Sequence, residues 1–332
     1  MGLWPMLGKG NTWSYFSQTM YNIILRIYPK DGGVCNMTMK IINVTVENQN
    51  QLIEYAAEYG IEHDSSFLPG RDFDLSAETP SYLLLENEEV VGAVSLMRTK
   101  RFLSVSKGRF SIFHAKNGNQ DAFEKLLEAI RPHMDDLQSV FMFIPEKNES
   151  SAAILSKLGF EVERYSFILE RSEPALAEPV FPEGFIVHPL DPTDLEGISQ
   201  FAACLNEEFK NLAGHTPSTA EDVQSWFADQ SSLEGGFCLL KKGAEAIGTI
   251  AMYREMDEMN AGEIGAFGIL EQFRGMDLGR NLLRYGINFL IGKDLKPIIL
   301  SVNGENHGAI RLYESEGFQL TESVVCYSLE QG

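Results

Sequence analysis

Basic residues, cysteine and long apolar runs are all scarce in this sequence. Its 332 residues carry 27 Lys and Arg against 47 Asp and Glu, a formal net charge of −20 at pH 7. A phosphate backbone needs a basic face on its partner, so this balance argues against a nucleic-acid ligand. No run of apolar residues approaches the ~20 that a membrane span requires, so no membrane partner is predicted.

The few cysteines exclude two further classes of site. The four thiols, Cys35, Cys204, Cys238 and Cys326, are scattered and form no CxxC pair. Neither a disulfide framework nor a zinc site is therefore predicted, and no other metal-ligand spacing or Ser-His-Asp set occurs. Isolated thiols of this kind are typical of a reducing compartment, so we expect a cytoplasmic protein.

Residues 1–39 form an N-terminal extension before the first clear strand pattern, Lys40–Val46. The apolar stretch Tyr21–Tyr28 is short, contains Arg26, and is not clearly followed by a small-residue cleavage site. A signal peptide is therefore not expected. The extension is either a mis-assigned start or an added arm that packs on the body, and the sequence favours neither.

The most informative stretch is Ile264–Gly279, with the sequence IGAFGILEQFRGMDLG. It begins as an apolar, buried-strand pattern, turns, and enters a helix pattern whose apolar residues recur at helical spacing from Leu278 to Leu290. The first amides of a helix lack intrahelical partners and lie at the positive end of its dipole, so they attract anions. Glycine in the turn lets a phosphate approach the backbone. The stretch is either an anion site or an ordinary strand-to-helix turn.

A second segment favours the anion site. The strand pattern Pro297–Val302 is followed by Asn306–Phe318, which fits Asn-x-x-Ala-x-x-Leu-Tyr-x-x-x-Gly-Phe at every named position. In this order the two stretches resemble the GNAT superfamily of N-acetyltransferases. The pyrophosphate loop of that family, Gln/Arg-x-x-Gly-x-Gly/Ala, is matched by Arg274 and Gly279, whereas Asp277 stands where the family usually has glycine.

The sequence also contains two similar halves, which indicate an internal repeat. Asn148 with Gly159-Phe160 echoes Asn306 with Gly317-Phe318, and a segment with three prolines lies between the halves. The resemblance therefore implies the tandem type of the GNAT superfamily, with a mixed α/β fold. The expected organisation is a degenerate GNAT domain at 40–171, a linker at 172–183 and a catalytic GNAT domain at 184–330.

The two halves differ in chemistry. The N-terminal half lacks the Arg-x-x-Gly-x-Gly arrangement at 114–121, and Leu155 holds the place of Tyr313. We expect this half to have kept the fold and lost the chemistry, so that it supplies packing area and a wall of the substrate cleft. A retained, non-catalytic acyl-CoA site is the alternative.

The resemblance implies acetyl-CoA as the acyl donor, no metal, and specific roles in the C-terminal half. An amide of the central strand, that of Ile269, would polarise the acetyl carbonyl, and Asn306 would contact the pantetheine arm. Tyr313 would protonate the leaving thiolate. The implied cofactor-binding residues are Gly268, Ile269, Leu270, Arg274, Gly275, Met276, Asp277, Leu278, Gly279, Arg280 and Asn306.

The general base is implied to be Glu263, at the start of the central strand. Glu207, Glu208 and His215 belong to the region that borders the acceptor cleft in this family, and His215 is a candidate proton relay. Purely structural roles compete with each assignment: an exposed strand-end carboxylate for Glu263, a loop cap for Asn306, a solvated helix residue for Arg280 and core packing for Tyr313.

The function expected from these residues is acetyl-CoA-dependent N-acetyl transfer to a primary amine, small molecule or peptide, by direct attack in a ternary complex. The alternative is a non-catalytic acyl-CoA-binding or sensor protein, which Asp277 and the degenerate half favour. Neither the acceptor nor the oligomeric state is implied, because the loops that line such clefts vary on a common fold.

Overall fold

The structure is a computed structural model and describes residues 39–64, 67–71, 73–255 and 260–331. The expectation for the N-terminal extension therefore falls outside the described residues, except for Met39, where the first strand begins. Lys40–Gly332 form one compact unit. In the described part of the chain, no helix has both the length and the apolar character to span a membrane.

The two halves share an order of elements, except that a short helix, Lys100–Leu103, occurs only in the N-terminal half and a helix, Ala220–Trp226, only in the C-terminal half. The N-terminal half contains β1 (Met39–Asn43), α1 (Gln49–Tyr59), β2 (Ser81–Glu86), β3 (Glu89–Met97), α2 (Lys100–Leu103), β4 (Lys107–Ala115), α3 (Gln120–Ile130), β5 (Ser139–Pro145), α4 (Glu149–Lys157) and β6 (Glu161–Arg171). The C-terminal half contains β7 (Phe185–Pro189), α5 (Leu195–Phe209), α6 (Ala220–Trp226), β8 (Ser232–Lys242), β9 (Glu245–Arg254), β10 (Gly262–Ile269), α7 (Leu278–Gly292), β11 (Ile298–Asn303), α8 (His307–Ser315) and β12 (Gln319–Glu330).

All twelve strands belong to one mixed sheet, in the order β1-β2-β3-β4-β5-β12-β6-β11-β10-β9-β8-β7. The last strand of each half pairs with the other half. Strand β12 lies antiparallel to β5, with Val325 opposite Ile144, and β6 lies antiparallel to β11, with Leu169 opposite Leu300. The mixed α/β class is confirmed, and the exchange of final strands makes the two halves one continuous sheet.

Helix α7 covers one face of the sheet in the C-terminal half. The apolar side predicted from Leu278 to Leu290 is confirmed, since its residues are buried against β9, β10 and β11. Gly286 allows this close approach, because a Cβ there would lie 2.6 Å from Ile250 Cδ1. Helices α5 and α6 cover the opposite face, where Phe201 packs with Phe237 of β8.

The segment between the halves lies along α7. Asn288 Oδ1 accepts from the amide of Leu176 at 2.8 Å, and Asn281 Oδ1 accepts from the amide of Val180 at 2.9 Å. Arg171, at the end of β6, donates from Nε to the carbonyl of Glu316 at 2.7 Å. The linker is therefore a packed part of the C-terminal half.

Candidate active site

A cleft of about 850 Å³ lies in the C-terminal half, where β10 and β11 separate. The two strands pair in parallel over Gly262–Ile264 and Ile298–Leu300 and then part. At this point the pairing of β10 with β9 shifts register between Gly265 and Gly268, which marks a bulge. Since a bulge bends its strand, it turns β10 away from β11 and opens the gap between them.

Most of the residues predicted for the donor site line this cleft. They are Gly268, Ile269, Arg274, Gly275, Asp277, Leu278, Gly279, Arg280, Asn306 and Tyr313. Three predicted residues do not: Leu270 is buried, Met276 is 45% exposed on the surface, and Glu263 lies beside the lining residue Ile264. Glu207 and Glu208 line the cleft, whereas His215 does not.

The end of β10 presents a backbone donor to the cleft. The amide of Leu270 donates to Ile247 O on β9 at 2.9 Å. Because successive amides of a strand point to opposite sides, the amide of Ile269 points away from β9, toward the gap. The carbonyl of Ile269 faces the same way and accepts from Arg274 Nε at 3.1 Å. Arg274 therefore reaches back across the floor of the cleft.

Among the described residues, no side chain caps the start of α7. Asp277 is its N-cap residue, with φ 56°, and its side chain makes no capping hydrogen bond. The carboxylate is 83% exposed and lies 4.0 Å from Arg280 Nε. The amides of 278–280 lack intrahelical partners by their position in the helix. They are therefore available to an anion, and the Asp277 carboxylate is turned outward.

Tyr313 lines the cleft from α8 and is almost entirely enclosed. It is 6% exposed, and its ring lies 6.0 Å from those of both Phe267 and Phe318, centroid to centroid. Burial raises the pKa of Tyr313 well above its ordinary value, so the phenol keeps its proton throughout the working pH range.

Two predicted donor-site residues make structural contacts within the protein. Asn306 caps α8, since its Oδ1 accepts from the amide of Ala309 at 3.2 Å. Arg280 pairs with the buried carboxylate of Glu316, which also accepts from Arg284 at 2.7 Å. Burial opposes ionisation of Glu316, but the bonds from Arg284 and Arg280 outweigh it and lower its pKa. The proposed ligand contacts of Asn306 and Arg280 stay predictions.

Glu263 is the second residue of β10 and lies opposite Tyr253 of β9. Burial, with a smaller contribution from the charge of Glu255, raises the pKa of Glu263 to about 7. His215 lies farther off, with its ring stacked on Phe209 at 6.2 Å. Burial first, and then the charge of Arg101, lower the pKa of His215. Glu263 thus has a proton affinity suited to a base near neutral pH.

The equivalent place in the N-terminal half is filled by the chain itself. His114 pairs with Ala93 just as Gly268 pairs with Thr249 in the C-terminal half, so an imidazole stands where the cleft has no side chain. The ring is 3% exposed and stacks on Tyr59 at 5.1 Å. It therefore occupies the position that the C-terminal half leaves open.

The gap between β4 and β5 is also closed. The amide of Asp64 donates to Phe143 O at 3.3 Å, and Asn148 Nδ2 donates to Glu62 O at the same distance. The start of α3 is capped as well, because Asn119 Oδ1 accepts from the amide of Ala122 at 3.2 Å. In this half, the chain's own residues therefore occupy both the gap between the strands and the start of the helix.

The described ranges contain no group of three or more His, Cys, Asp or Glu residues arranged to hold a metal ion. No sequence pattern indicated a role for Thr249. Its hydroxyl lies 2.6 Å from Oε2 of Glu208, which lines the cleft. A threonine in an apolar strand carries no local signal of such a contact.

Part of this chain is similar in sequence to known acetyltransferases. Residues 200–318 match the acetyltransferase (GNAT) family. Mycothiol acetyltransferase of Streptomyces bingchenggensis is 28% identical over 158 residues, 47% of this chain and 49% of that protein. The Corynebacterium efficiens protein of the same name is 31% identical over 109 residues, 33% of this chain and 34% of its own length. The matches thus span half, or less, of these relatives.

Solved structures show the fold over most of the chain. The tandem GNAT protein from the clavulanic acid biosynthesis pathway has a TM-score of 0.66 and 14% identity, covering 89% of this chain and 99% of that one. A GCN5-related N-acetyltransferase from Sphaerobacter thermophilus has a TM-score of 0.64 and 16% identity, covering 88% and 95%. At these identities the likeness concerns the fold alone.

Proposed function

We propose that this chain, which belongs to the GNAT superfamily as a member of its tandem type, is an acetyl-CoA-dependent N-acetyltransferase with one active site, in the C-terminal half. The observation that carries the proposal is that Tyr313 lines the same cleft as the uncapped start of α7. An anion site alone suits a binding protein, whereas a buried phenol beside it is what proton transfer to a leaving thiolate requires.

The donor would be held along the length of the cleft. The amides of 278–280, at the positive end of the α7 dipole, are proposed to bind the pyrophosphate. The pantetheine arm would lie in the gap between β10 and β11, beside Asn306. A Cβ on Gly279 would point to Ile269 Cγ1, 3.6 Å away, so this glycine keeps the cleft open between the two regions.

The donor supplies a thioester, whose carbonyl must be polarised and whose thiolate must be protonated. The amide of Ile269 is proposed to donate to the carbonyl oxygen, because it faces the gap without a partner on β9. Tyr313 would give its phenolic proton to the leaving sulfur. The acceptor amine has a pKa near ~10 when it is an alkylamine, so it must lose a proton, and Glu263 is proposed to take it through intervening water.

The function is tested by screening amines with acetyl-CoA and following free thiol. The screen includes alkylamines, amino sugars, peptide N-termini and the acceptor of the mycothiol acetyltransferases, to which this chain is related over part of its length. Thiol release that depends on both substrates supports the proposal. Tight CoA binding without turnover on any amine supports the non-catalytic alternative, which the exposed Asp277 carboxylate near the phosphate loop favours.

We expect titration calorimetry to find one CoA site per chain, because the gap and helix start of the N-terminal half are closed by its own residues. Gly279→Val should abolish measurable binding, since its added methyl groups enter the cleft. Gly292→Val, at the far end of the same helix, is the matched control, because a Cβ there has no neighbour within 4 Å. Two equal sites, or unchanged affinity in Gly279→Val, would contradict the assignment.

We expect Asp277→Gly to bind CoA more tightly, by about 1 kcal/mol, because a carboxylate near the bound phosphates is removed. The same change relieves a left-handed conformation with φ 56°, which also stabilises the fold by about 1 kcal/mol. Asp294→Gly is the control: Asp294 has φ 59° but does not line the cleft. Both variants should melt higher, and only Asp277→Gly should change the CoA affinity. Weaker binding in Asp277→Gly would assign Asp277 a positive role.

A further inference from the structure

The carboxyl group of Glu208 forms part of the cleft wall directly over Gly268. A Cβ on Gly268 would lie 2.5 Å from Glu208 Oε2, so a larger residue there would push this carboxyl group out of its place. Glu207, next in sequence, instead points outward and pairs with Lys210 at 2.5 Å. Of these two glutamates at the end of α5, Glu208 is therefore the one held against the bulge of β10.

The contacts of Thr249 bear on the protonation state of this carboxyl group. Thr249 Oγ1 lies 2.6 Å from Glu208 Oε2 and 2.7 Å from the carbonyl oxygen of Ala266. Both distances are those of hydrogen bonds, and each bond needs one proton. The threonine hydroxyl has a single proton, and a carbonyl oxygen only accepts. A neutral Glu208 that donates to Thr249 Oγ1, while Thr249 donates to Ala266 O, gives each of the two bonds its own proton.

Ala266 lies in the bulge that bends β10, and its backbone conformation is unusual. It has φ 43° and lies inside the register shift between Gly265 and Gly268. An alanine in a left-handed conformation is strained and needs its surroundings to hold it. The bond from Thr249 to the Ala266 carbonyl supplies that support. The bulge in turn directs the amide of Ile269 into the gap.

The surroundings of Glu208 favour the neutral form. Burial is the largest influence and raises the pKa of Glu208 to about 8, opposed by its hydrogen-bonding contacts with Thr249 and Cys204 and by the charge of Arg274. Arg274 comes from the turn after β10, and Cys204, one turn earlier on α5, lies 3.4 Å from Oε1. From β9 the facing group is the uncharged Thr249, and from β10 the uncharged backbone of Gly268.

We propose that Glu208 is a positioning residue of acetyl transfer: as a neutral acid it completes a hydrogen-bond chain through Thr249 to the Ala266 carbonyl, and so holds the bulge that aims the Ile269 amide. The role rests on the proposed function, since it concerns the geometry of that reaction. Ionisation of Glu208 would draw the Thr249 proton to the carboxylate, leave Ala266 O without a donor, and loosen the bulge.

The test is Glu208→Gln, whose amide donates a hydrogen bond at every pH. In the parent, turnover at saturating substrates should fall roughly fivefold from pH 7 to pH 9, because Glu208 ionises near pH 8 while Glu263, only half ionised at pH 7, becomes fully ionised over the same range. Glu208→Gln should keep turnover within about threefold at pH 7 and lose the alkaline fall. Glu196→Gln, at the exposed start of the same helix and outside the cleft lining, is the matched control and should behave like the parent. A Glu208→Gln variant that is inactive at all pH values would make Glu208 a base and overturn the proposal.

A second measurement is independent of turnover. Amide hydrogen exchange at 265–270, corrected for its intrinsic pH dependence, should accelerate about tenfold from pH 7 to pH 9 in the parent and stay constant in Glu208→Gln. Thr249→Val should accelerate exchange at every pH, and Thr249→Ser should restore protection. Equal alkaline acceleration in parent and Glu208→Gln would overturn the proposal. If no amine supports turnover, the proposed function fails, and the exchange data still decide the role of Glu208.

Discussion

Tyr313→Phe is expected to lower the turnover number by on the order of 10²–10⁴, the usual cost of losing a general acid. The Michaelis constant for acetyl-CoA should scarcely change, because the ring and its contacts with Phe267 and Phe318 remain. The loss should be the same across the pH range, since burial keeps the phenol protonated throughout. Steady-state kinetics on the best acceptor from the amine screen measure both constants.

The matched control is Tyr285→Phe. Tyr285 is a tyrosine of α7 whose hydroxyl lies 3.9 Å from Cys238 Sγ, outside the cleft lining, so its loss should leave turnover within about twofold. Leu155→Tyr, at the equivalent place in the N-terminal half, should rescue nothing in Tyr313→Phe, because the gap beside it is closed. Unchanged turnover in Tyr313→Phe would make this tyrosine a core residue and water the proton donor.

Glu263→Gln is expected to lower turnover by on the order of 10², because the base is lost while shape and burial are kept. The parent rate should rise through pH 7, since the raised pKa of Glu263 leaves its carboxyl protonated, and so unable to accept a proton, below that value. The variant should lack this rise. The pH profile of turnover at saturating acceptor separates this limb from ionisation of the free amine.

Glu305→Gln is the control for Glu263→Gln, because Glu305 is an exposed carboxylate on the cleft lining. Its removal should leave the profile unchanged. The variants of the two buried glutamates also serve as controls for each other. Glu263→Gln should remove the acidic limb of the pH profile of turnover, and Glu208→Gln should remove its alkaline limb. If Glu208→Gln removes the acidic limb instead, Glu208 is the base, and Glu263 is a buried strand residue.

Local patterns in the sequence predicted the local structure of the C-terminal half well. The strand, turn and helix of 264–290 follow from apolar periodicity, whereas the cap made by Asn306 is the structural role that competed with its predicted contact to the pantetheine arm. The pattern missed α2, because four residues are too few for a helical period. The pairing of β6 with β11 and of β12 with β5 was also missed. Such pairings depend on contacts far apart in sequence, and no local period encodes them.

The candidate site also depends on contacts that local sequence patterns do not encode. The sequence placed Glu207 and Glu208 together near the acceptor cleft but gave no reason to separate them. Their difference comes from tertiary packing, which turns one to solvent and the other onto Gly268. The degenerate chemistry of the N-terminal half was predicted from a missing phosphate loop. Asp64 and His114 fill the gap of this half. This could not be predicted, because it depends on how a loop without sequence periodicity packs.

The exchange of the final strands constrains how this protein can change over evolutionary time. If either half were expressed alone, it would keep its own last strand but lack the last strand of the other half, which normally pairs with its sheet. The resulting unpaired sheet edge would invite aggregation. Strand β6 also supports β11, whose last residue, Asn303, lines the cleft. The N-terminal half, which we propose to be inactive, can therefore lose its own chemistry freely, but its final strand stays under selection for as long as the C-terminal half works.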